Sequence, residues 1–367
     1  MKKILILIFT LFISFISVYA EEETQIMPSE LGVVEGIEYI DFGENDNIQT
    51  KQLVEVKLLN GNFKGKTISV ENMLTGNPYY DIKLSKGTKV ILHVEKDFDE
   101  FIYSIEDIKR SEILVWLSVL FCGLLVYIGK RKGLYSLISI ILTCLLIFNG
   151  LAPMILCGIN PILATILICL VSTAITMYLV GGFNRKSTSA TLGCIFSLVI
   201  AGFLALLTVK LAHLTGFTSE NTGFLYSAHP ELNFISITIS MIILATLGAV
   251  MDVGMSIAST INEIYTVDNT IEIKELFICG MNVGKDIIGT MANTLILVYI
   301  GSALPLLLLA SNIDFHKFIN LNQVVTEIAS ALIGSSAIVI CVPITALIAS
   351  ELIKNVPEKF DFSKLKD

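Results

Sequence analysis

The chain has 367 residues, of which 54% are hydrophobic and 16% charged, a balance outside that of water-soluble globular proteins. Its formal charge of −8 includes no basic tract, which excludes nucleic acid as a partner of the usual electrostatic kind. From Glu112 onward the apolar residues come in blocks of about 18 to 22, the length that crosses roughly 30 Å of hydrocarbon at about 1.5 Å per residue. The lipid bilayer is therefore the expected surroundings.

At the N-terminus, Lys2 and Lys3 precede an apolar run, and Val18-Tyr19-Ala20 places compact residues before Glu21-Glu22-Glu23. This pattern predicts a signal peptide over residues 1–20, cut after Ala20, with an uncleaved anchor as the competing reading. No cysteine follows the cut, which argues against a lipoprotein anchor.

Residues 28–110 have soluble composition and strand-like alternation. Val54, Val56 and Leu58 alternate with polar residues, and Asn60-Gly61-Asn62-Phe63-Lys64-Gly65-Lys66 supplies a hairpin turn into Thr67-Ile68-Ser69-Val70. Further strands are expected over residues 80–84, 88–94 and 101–105, with a turn at Lys86-Gly87. About five short strands suggest a small extracytoplasmic β-rich domain, OB-like or SH3-like. Such a barrel can serve as a scaffold on the membrane or bind an envelope protein.

The expected spans cover residues 113–128, 134–151, 162–180, 190–211, 234–250, 287–310 and 328–353. If the first enters from outside, the predicted cytoplasmic positions hold Lys130, Arg131, Lys132, Arg185, Lys186, Lys274, Lys285, Lys354, Lys359, Lys364 and Lys366. The predicted outer loops hold only Lys210 and Lys317. That asymmetry obeys the positive-inside rule and agrees with the side set by the signal peptide. It predicts a bacterial cytoplasmic-membrane protein with a transmembrane domain over residues 112–353 and a cytoplasmic tail over 354–367. The fold class expected is thus a polytopic α-helical membrane protein with about seven transmembrane helices after the signal peptide.

Three details qualify the spans. Pro153, Gly158 and Pro161 interrupt an apolar stretch that reads as a tight turn or a short re-entrant piece. Small residues recur at helical spacing in Gly193, Ser197, Ala201 and Ala205, and around Ala331, Gly334, Ser335 and Ser336, as in helix-packing seams. Pro305 and Pro343 are expected to kink their spans. The seven cysteines all lie in or beside apolar blocks and read as small buried hydrophobes rather than a disulfide framework.

The candidate functional residues gather at two places. Asp252, Ser256, Ser259 and Glu263 are spaced so as to share one helical face with Gly248, and Asn282, Asp286, Gly289 and Asn293 repeat that spacing. Between them Asn269-Thr270-Ile271-Glu272 reads as a capping box opening a short helix that ends at Cys279. A charge near the bilayer centre costs on the order of 2.5 to 3.5 kcal/mol on insertion scales, so such groups usually face a cavity or one another. The two faces could line a pathway, or could be interfacial groups wetted by headgroup water. Lys285 reads as a positive-inside anchor or as a counter-ion to Asp252.

The segments Gly248-Ala249-Val250-Met251-Asp252-Val253-Gly254-Met255-Ser256-Ile257-Ala258-Ser259 and Gly280-Met281-Asn282-Val283-Gly284-Lys285-Asp286-Ile287-Ile288-Gly289-Thr290-Met291-Ala292-Asn293-Thr294-Leu295, with Lys132-Gly133-Leu134, resemble the YibE/F-like family of bacterial multispanning membrane proteins. The resemblance runs over residues 30–353 and implies a multi-pass membrane protein with a role in transport, without naming a substrate.

No phosphate-cradling Gly-Lys-Ser/Thr loop, no His-Glu-x-x-His and no Gly-x-Ser-x-Gly occurs, so the chain is not expected to be an enzyme and no cofactor is expected. His213, His229 and His316 fall in predicted outer loops with no tight metal-ligand spacing. The leading expectation is a permease or secondary transporter of an ion or small solute, with Asp252, Ser256, Asn282, Lys285, Asp286 and Asn293 as candidate pathway residues. The alternative is a non-transporting membrane scaffold or sensor whose exported β domain binds an envelope partner. An intramembrane enzyme using paired aspartates stands third.

Overall fold

The computed structural model describes residues 29–41, 50–97 and 100–355. The predicted signal peptide and the tail beyond residue 355 lie outside the described residues. The chain forms two compact units that meet in sequence between Leu124 and Leu125.

In the first unit, five strands form one antiparallel sheet: β1 (Glu30–Asp41), β2 (Thr50–Leu58), β3 (Thr67–Leu74), β4 (Lys89–Asp97) and β5 (Glu100–Ile108). Their order is β3-β2-β1-β4-β5, and the outer strands β3 and β5 approach each other. A central first strand and a closing contact between the third and fifth are the topology of a partly open, OB-like barrel. Alternation builds its core: Val34, Val54, Val56, Leu58, Val70, Leu84, Val90 and Leu92 point inward, and polar residues between them point out. The β2–β3 turn falls where the Asn60-Gly61 signal predicted it, with Gly61 and Gly65 at φ of 81° and 87°, values that favour glycine.

Two strand expectations need correction. Strand β1 carries no strong alternation in the sequence, yet it is the central strand and pairs with both β2 and β4. Residues 80–84 form no strand. Instead the Asp81 carboxylate accepts from the backbone amides of Thr75 and Gly76 at 2.7 and 2.8 Å, which ties down an irregular turn. Beneath it, Asn72 Nδ2 donates to the Gln52 side chain at 2.8 Å and to the Ile82 carbonyl at 2.7 Å.

The rest of the described chain is helical. The helices are α1 (Ser111–Leu146), a π-helical turn (Ile147–Leu151), α2 (Ala152–Leu156), α3 (Pro161–Gly181), α4 (Arg185–Leu211), α5 (Glu220–Ala228), α6 (Phe234–Val267), α7 (Ile273–Ser302), α8 (Leu304–Leu309), α9 (Phe315–Ile319) and α10 (Asn322–Asn355). Six helical stretches among the described residues are long and apolar enough to cross a bilayer. The first, Ser111–Leu156, has 46 residues, about 69 Å of helix at 1.5 Å per residue, far more than one crossing requires. It is not continuous. Lys130 leaves helical geometry at φ 49° and ψ −127°, and a methyl group on Gly133 would overlap the Leu125 carbonyl oxygen. An unbroken helix would hold those two positions about 12 Å apart, so the chain reverses at Lys130-Arg131-Lys132, between the first two expected spans.

Farther along, Pro153 is unable to donate a backbone hydrogen bond, and the π-helical turn precedes it. Gly158, at φ 81°, and the Asn160 cap on Ile162 then make residues 157–160 a tight turn between α2 and α3.

Helices α4, α6 and α10 pack through Cys194, Ala201, Val250, Val253, Ile257, Ile338, Cys341 and Ala346, all buried. The predicted small-residue seam on α4 is present: Gly193, Ser197, Ala201 and Ala205 are buried, and Gly193 abuts Thr345 of α10. Two cations close one end. Arg185 donates to the Ile353 carbonyl at 2.7 Å, and Lys354 donates to the Ile271 carbonyl.

Other boundaries also move. Helix α6 continues to Val267, well past residue 250. Helix α7 is one helix from Ile273 to Ser302, not a short helix followed by a span, and it ends before residue 310. Pro305 begins α8 rather than kinking a span, whereas Pro343 lies inside α10. The expected capping box does not form, since Glu272 makes no side-chain cap bond. Asp268 organises the loop instead, its carboxylate accepting from the Thr270 hydroxyl at 2.6 Å and amide at 2.9 Å. Those bonds, hydroxyl first, hold the Asp268 carboxyl below its ordinary pKa.

Candidate functional site

The sequence places polar side chains on α6 and α7; the packing decides which way they point. On α6 the buried positions near the candidate face are Val250, Val253, Gly254, Ile257, Ala258 and Ile261. Gly254 is required there, because a methyl group would press to 2.6 Å from Cys194 Sγ of α4. Asp252, Ser256 and Glu263 lie on the far side of the helix and are exposed, and Gly248 among them has nothing within 4 Å of its would-be Cβ. Ser256 donates its hydroxyl to the Asp252 carbonyl at 2.7 Å, a bond within its own helix.

Helix α7 behaves in the same way. It docks through Leu276, Gly280 and Gly284, where a methyl on Gly280 would stand 2.7 Å from Ile261 of α6 and one on Gly284 would overlap Val342 of α10. A helix turns about 100° per residue, so Asn282 and Asp286 lie about 200° and Asn293 about 180° round from Gly284. Asn282, Lys285, Asp286, Gly289 and Asn293 are all exposed. The apolar side is consumed by the contact with α6 and α10, and the polar side looks away from it.

The six candidate side chains therefore share two outward faces, and the structure does not join them. Among the described residues no hydrogen bond or ion pair connects Asp252, Ser256, Asn282, Lys285, Asp286 or Asn293 to another side chain. Lys285 in particular is not within ion-pairing distance of Asp252. The imbalance is greatest on α7, whose most apolar window is only 6% buried, against 56% for α6.

A further group was not singled out by sequence. Glu327 of α10 is half-buried on a helix of membrane-spanning length, as is Tyr299 of α7. The Tyr299 hydroxyl is buried without a partner among the described residues. The available signal was a lone carboxylate near the start of a long apolar helix. In the core, Cys194 and Cys341 both donate to the Val250 carbonyl, at 3.4 and 3.7 Å. Among the described residues no three metal-ligating side chains gather, and His229 instead lies 3.2 Å from Glu231.

The β unit has its own concavity. A groove of about 550 Å³ opens between β3 and β5, lined by Ile68, Ser69, Val70, Glu71, Phe101, Ile102 and Tyr103. Burial, followed by the neighbouring Glu30 charge, pushes the Tyr103 hydroxyl above its ordinary pKa.

Comparison with known families matches both units. Residues 32–108 match the YibE/F family N-terminal domain, and residues 117–355 match the family described as YibE/F-like protein. Neither the curated proteins nor the solved structures gave a significant match. The β sheet, the long apolar helices and the two matches, which between them cover most of the chain, agree: this is a membrane protein belonging to the YibE/F-like family.

Proposed function

We propose that the protein is a non-enzymatic permease or secondary transporter of an ion or small solute in the bacterial cytoplasmic membrane. Asp252, Ser256, Asn282, Lys285, Asp286 and Asn293 line its pathway. The observation that carries this reading is the outward polar face of α7, on which Asn282, Lys285, Asp286 and Asn293 are exposed on a helix of membrane-spanning length. Hydrocarbon penalises every one of those groups, so the face is expected to border water or other polar groups. Carboxylates at Asp252 and Asp286 can bind a proton or a cation. The loop-charge asymmetry supports a cytoplasmic position for this end of α6 and α7.

The test is ion and small-solute flux into liposomes containing the purified protein, with and without a pH gradient. Flux that depends on the protein and falls at least tenfold in Asp252→Asn and Asp286→Asn proteins is expected. Full flux in both variants, each inserted normally, overturns the assignment.

One observation favours a second reading, a scaffold or sensor that recognises an envelope protein through the β domain. The groove between β3 and β5 is open and partly apolar, as peptide-binding sheet edges are. On this reading, deletion of residues 30–108 abolishes function while the aspartate substitutions are mild.

A further inference from the structure

The face of α7 that looks away from α6 and α10 carries both signs of charge side by side. With Gly289 taken as the point of closest approach, about 100° per residue places Lys285 about 40° to one side and Asp286 about 60° to the other. Asn282 and Asn293 fall within about 40° of Gly289. Gly289 has open space where a Cβ would be. Neither Lys285 nor Asp286 has an ion-pair partner among the described residues.

We propose that this face packs against α7 of a second copy of the chain, about a twofold axis along the membrane normal. Copies inserted with the same topology can meet only in parallel. A twofold rotation then brings the Lys285 flank of one helix against the Asp286 flank of the other, at depths about 1.5 Å apart. Two equivalent ion pairs form, because a twofold contact is self-complementary. Gly289 lets the backbones approach, as small residues do between membrane helices. The Asn282 and Asn293 amides meet their own counterparts across the axis, each able to donate and accept.

The occupant is a second copy because the charge pattern is complementary to itself. The inference deepens the pathway reading and rests on it for its functional content: the polar groups of two α7 helices are pooled at one interface, and neither copy completes the site alone.

The experiment uses the full chain in native membranes, with the four cysteines that are not buried, Cys122, Cys144, Cys157 and Cys279, replaced by serine as background. Gly289→Cys is expected to give, on oxidation with copper phenanthroline, a disulfide-linked species of twice the monomer mass that reduction returns to monomer. Thr294→Cys, about 140° round the same helix, is expected to give less than a tenth of that yield. Adding Lys285→Asp or Asp286→Lys to the Gly289→Cys chain should each lower crosslinking at least fivefold. Coexpressing the two should restore it, because both flanks of one chain are then acidic and both flanks of the other basic.

No dimer from an inserted Gly289→Cys protein, a crosslink to another protein, or equal yields at positions 289 and 294 would each overturn the interface. So would charge variants that crosslink undiminished. Crosslinking as expected in a protein without flux leaves the interface standing and removes the transport reading; flux without crosslinking does the reverse.

Discussion

Gly193 of α4 and Thr345 of α10 face one another so closely that a methyl group on the glycine would overlap the threonine hydroxyl. Gly193→Ala should therefore overpack the seam and destabilise the helical unit by about 1 to 3 kcal/mol. Thr345→Ala removes the obstructing oxygen but keeps a Cβ that would stand 2.9 Å from the new methyl, so the double variant should recover only part of that loss. Thermal unfolding in detergent of the single and double variants measures the coupling between the two sites.

The reversal at Lys130 yields a sharper contrast. Gly133→Ala would drive a methyl into the Leu125 backbone carbonyl, which cannot swing aside, whereas Gly123 and Gly129 have nothing within 4 Å. We expect Gly133→Ala to lower the yield of folded protein severalfold in membranes, while alanine at 123 or 129 leaves it unchanged. Monodisperse yield after extraction is the readout, and equal yields for all three would contradict the reversal.

In the β unit, Asn72 satisfies the buried Gln52 side chain and the Ile82 carbonyl at once. Asn72→Leu leaves the Gln52 oxygen, on a residue only 1% exposed, without its donor. A cost of about 1 to 3 kcal/mol is expected, together with faster amide exchange around the turn that carries Ile82. Denaturant unfolding and hydrogen exchange measure the two effects.

Asp107, at the end of β5, gives the protein a predictable response to acid. The Arg110 guanidinium, 2.6 Å away, and then the Ile108 amide hold its carboxyl below the ordinary 3.8. A carboxylate depressed in the folded state contributes stability that is present above the unfolded value and lost as pH falls through the folded one. Arg110→Ala should raise the Asp107 midpoint toward 3.8. Carboxyl-carbon NMR titration of the two proteins checks the direction, and an unchanged midpoint would show that the ion pair is not formed.

Much of the architecture was legible because the signals were strong and local. Val54, Val56 and Leu58 alternate cleanly, the Asn60-Gly61 turn specifies a hairpin, and the cations at 130–132 mark the end of a span. Strand β1 was obscured because Gly32, Gly36 and interspersed acidic residues dilute its alternation, although two partner strands enforce it. Tyr80 and Ile82 have strand propensity, but the Asp81 carboxylate gathers the preceding amides into a turn. Helix α7 read as two pieces because Asn282, Lys285 and Asp286 interrupt its hydropathy, while its continuity comes from tertiary contacts at Gly280 and Gly284. The spacing identified each polar face correctly as a face. Its direction depended on where α10 packs, which no local pattern encodes.

Arg185 and Lys354 reach backbone carbonyls, of Ile353 and Ile271, rather than side chains. A carbonyl acceptor survives every substitution of the residue that bears it, so these two fastenings tolerate sequence drift at positions 271 and 353 and answer only to loss of the cations. They also sit together at one end of the unit, joining the start of α4, the last turn of α10 and the loop between α6 and α7. Mechanically that end is a clamped root. The start of α6 is fastened as well, since Thr238 donates to the Gly216 carbonyl at 3.4 Å and Asn322 of α10 donates to the neighbouring Phe217 carbonyl at 2.7 Å, so α6 and α10 are held at both ends.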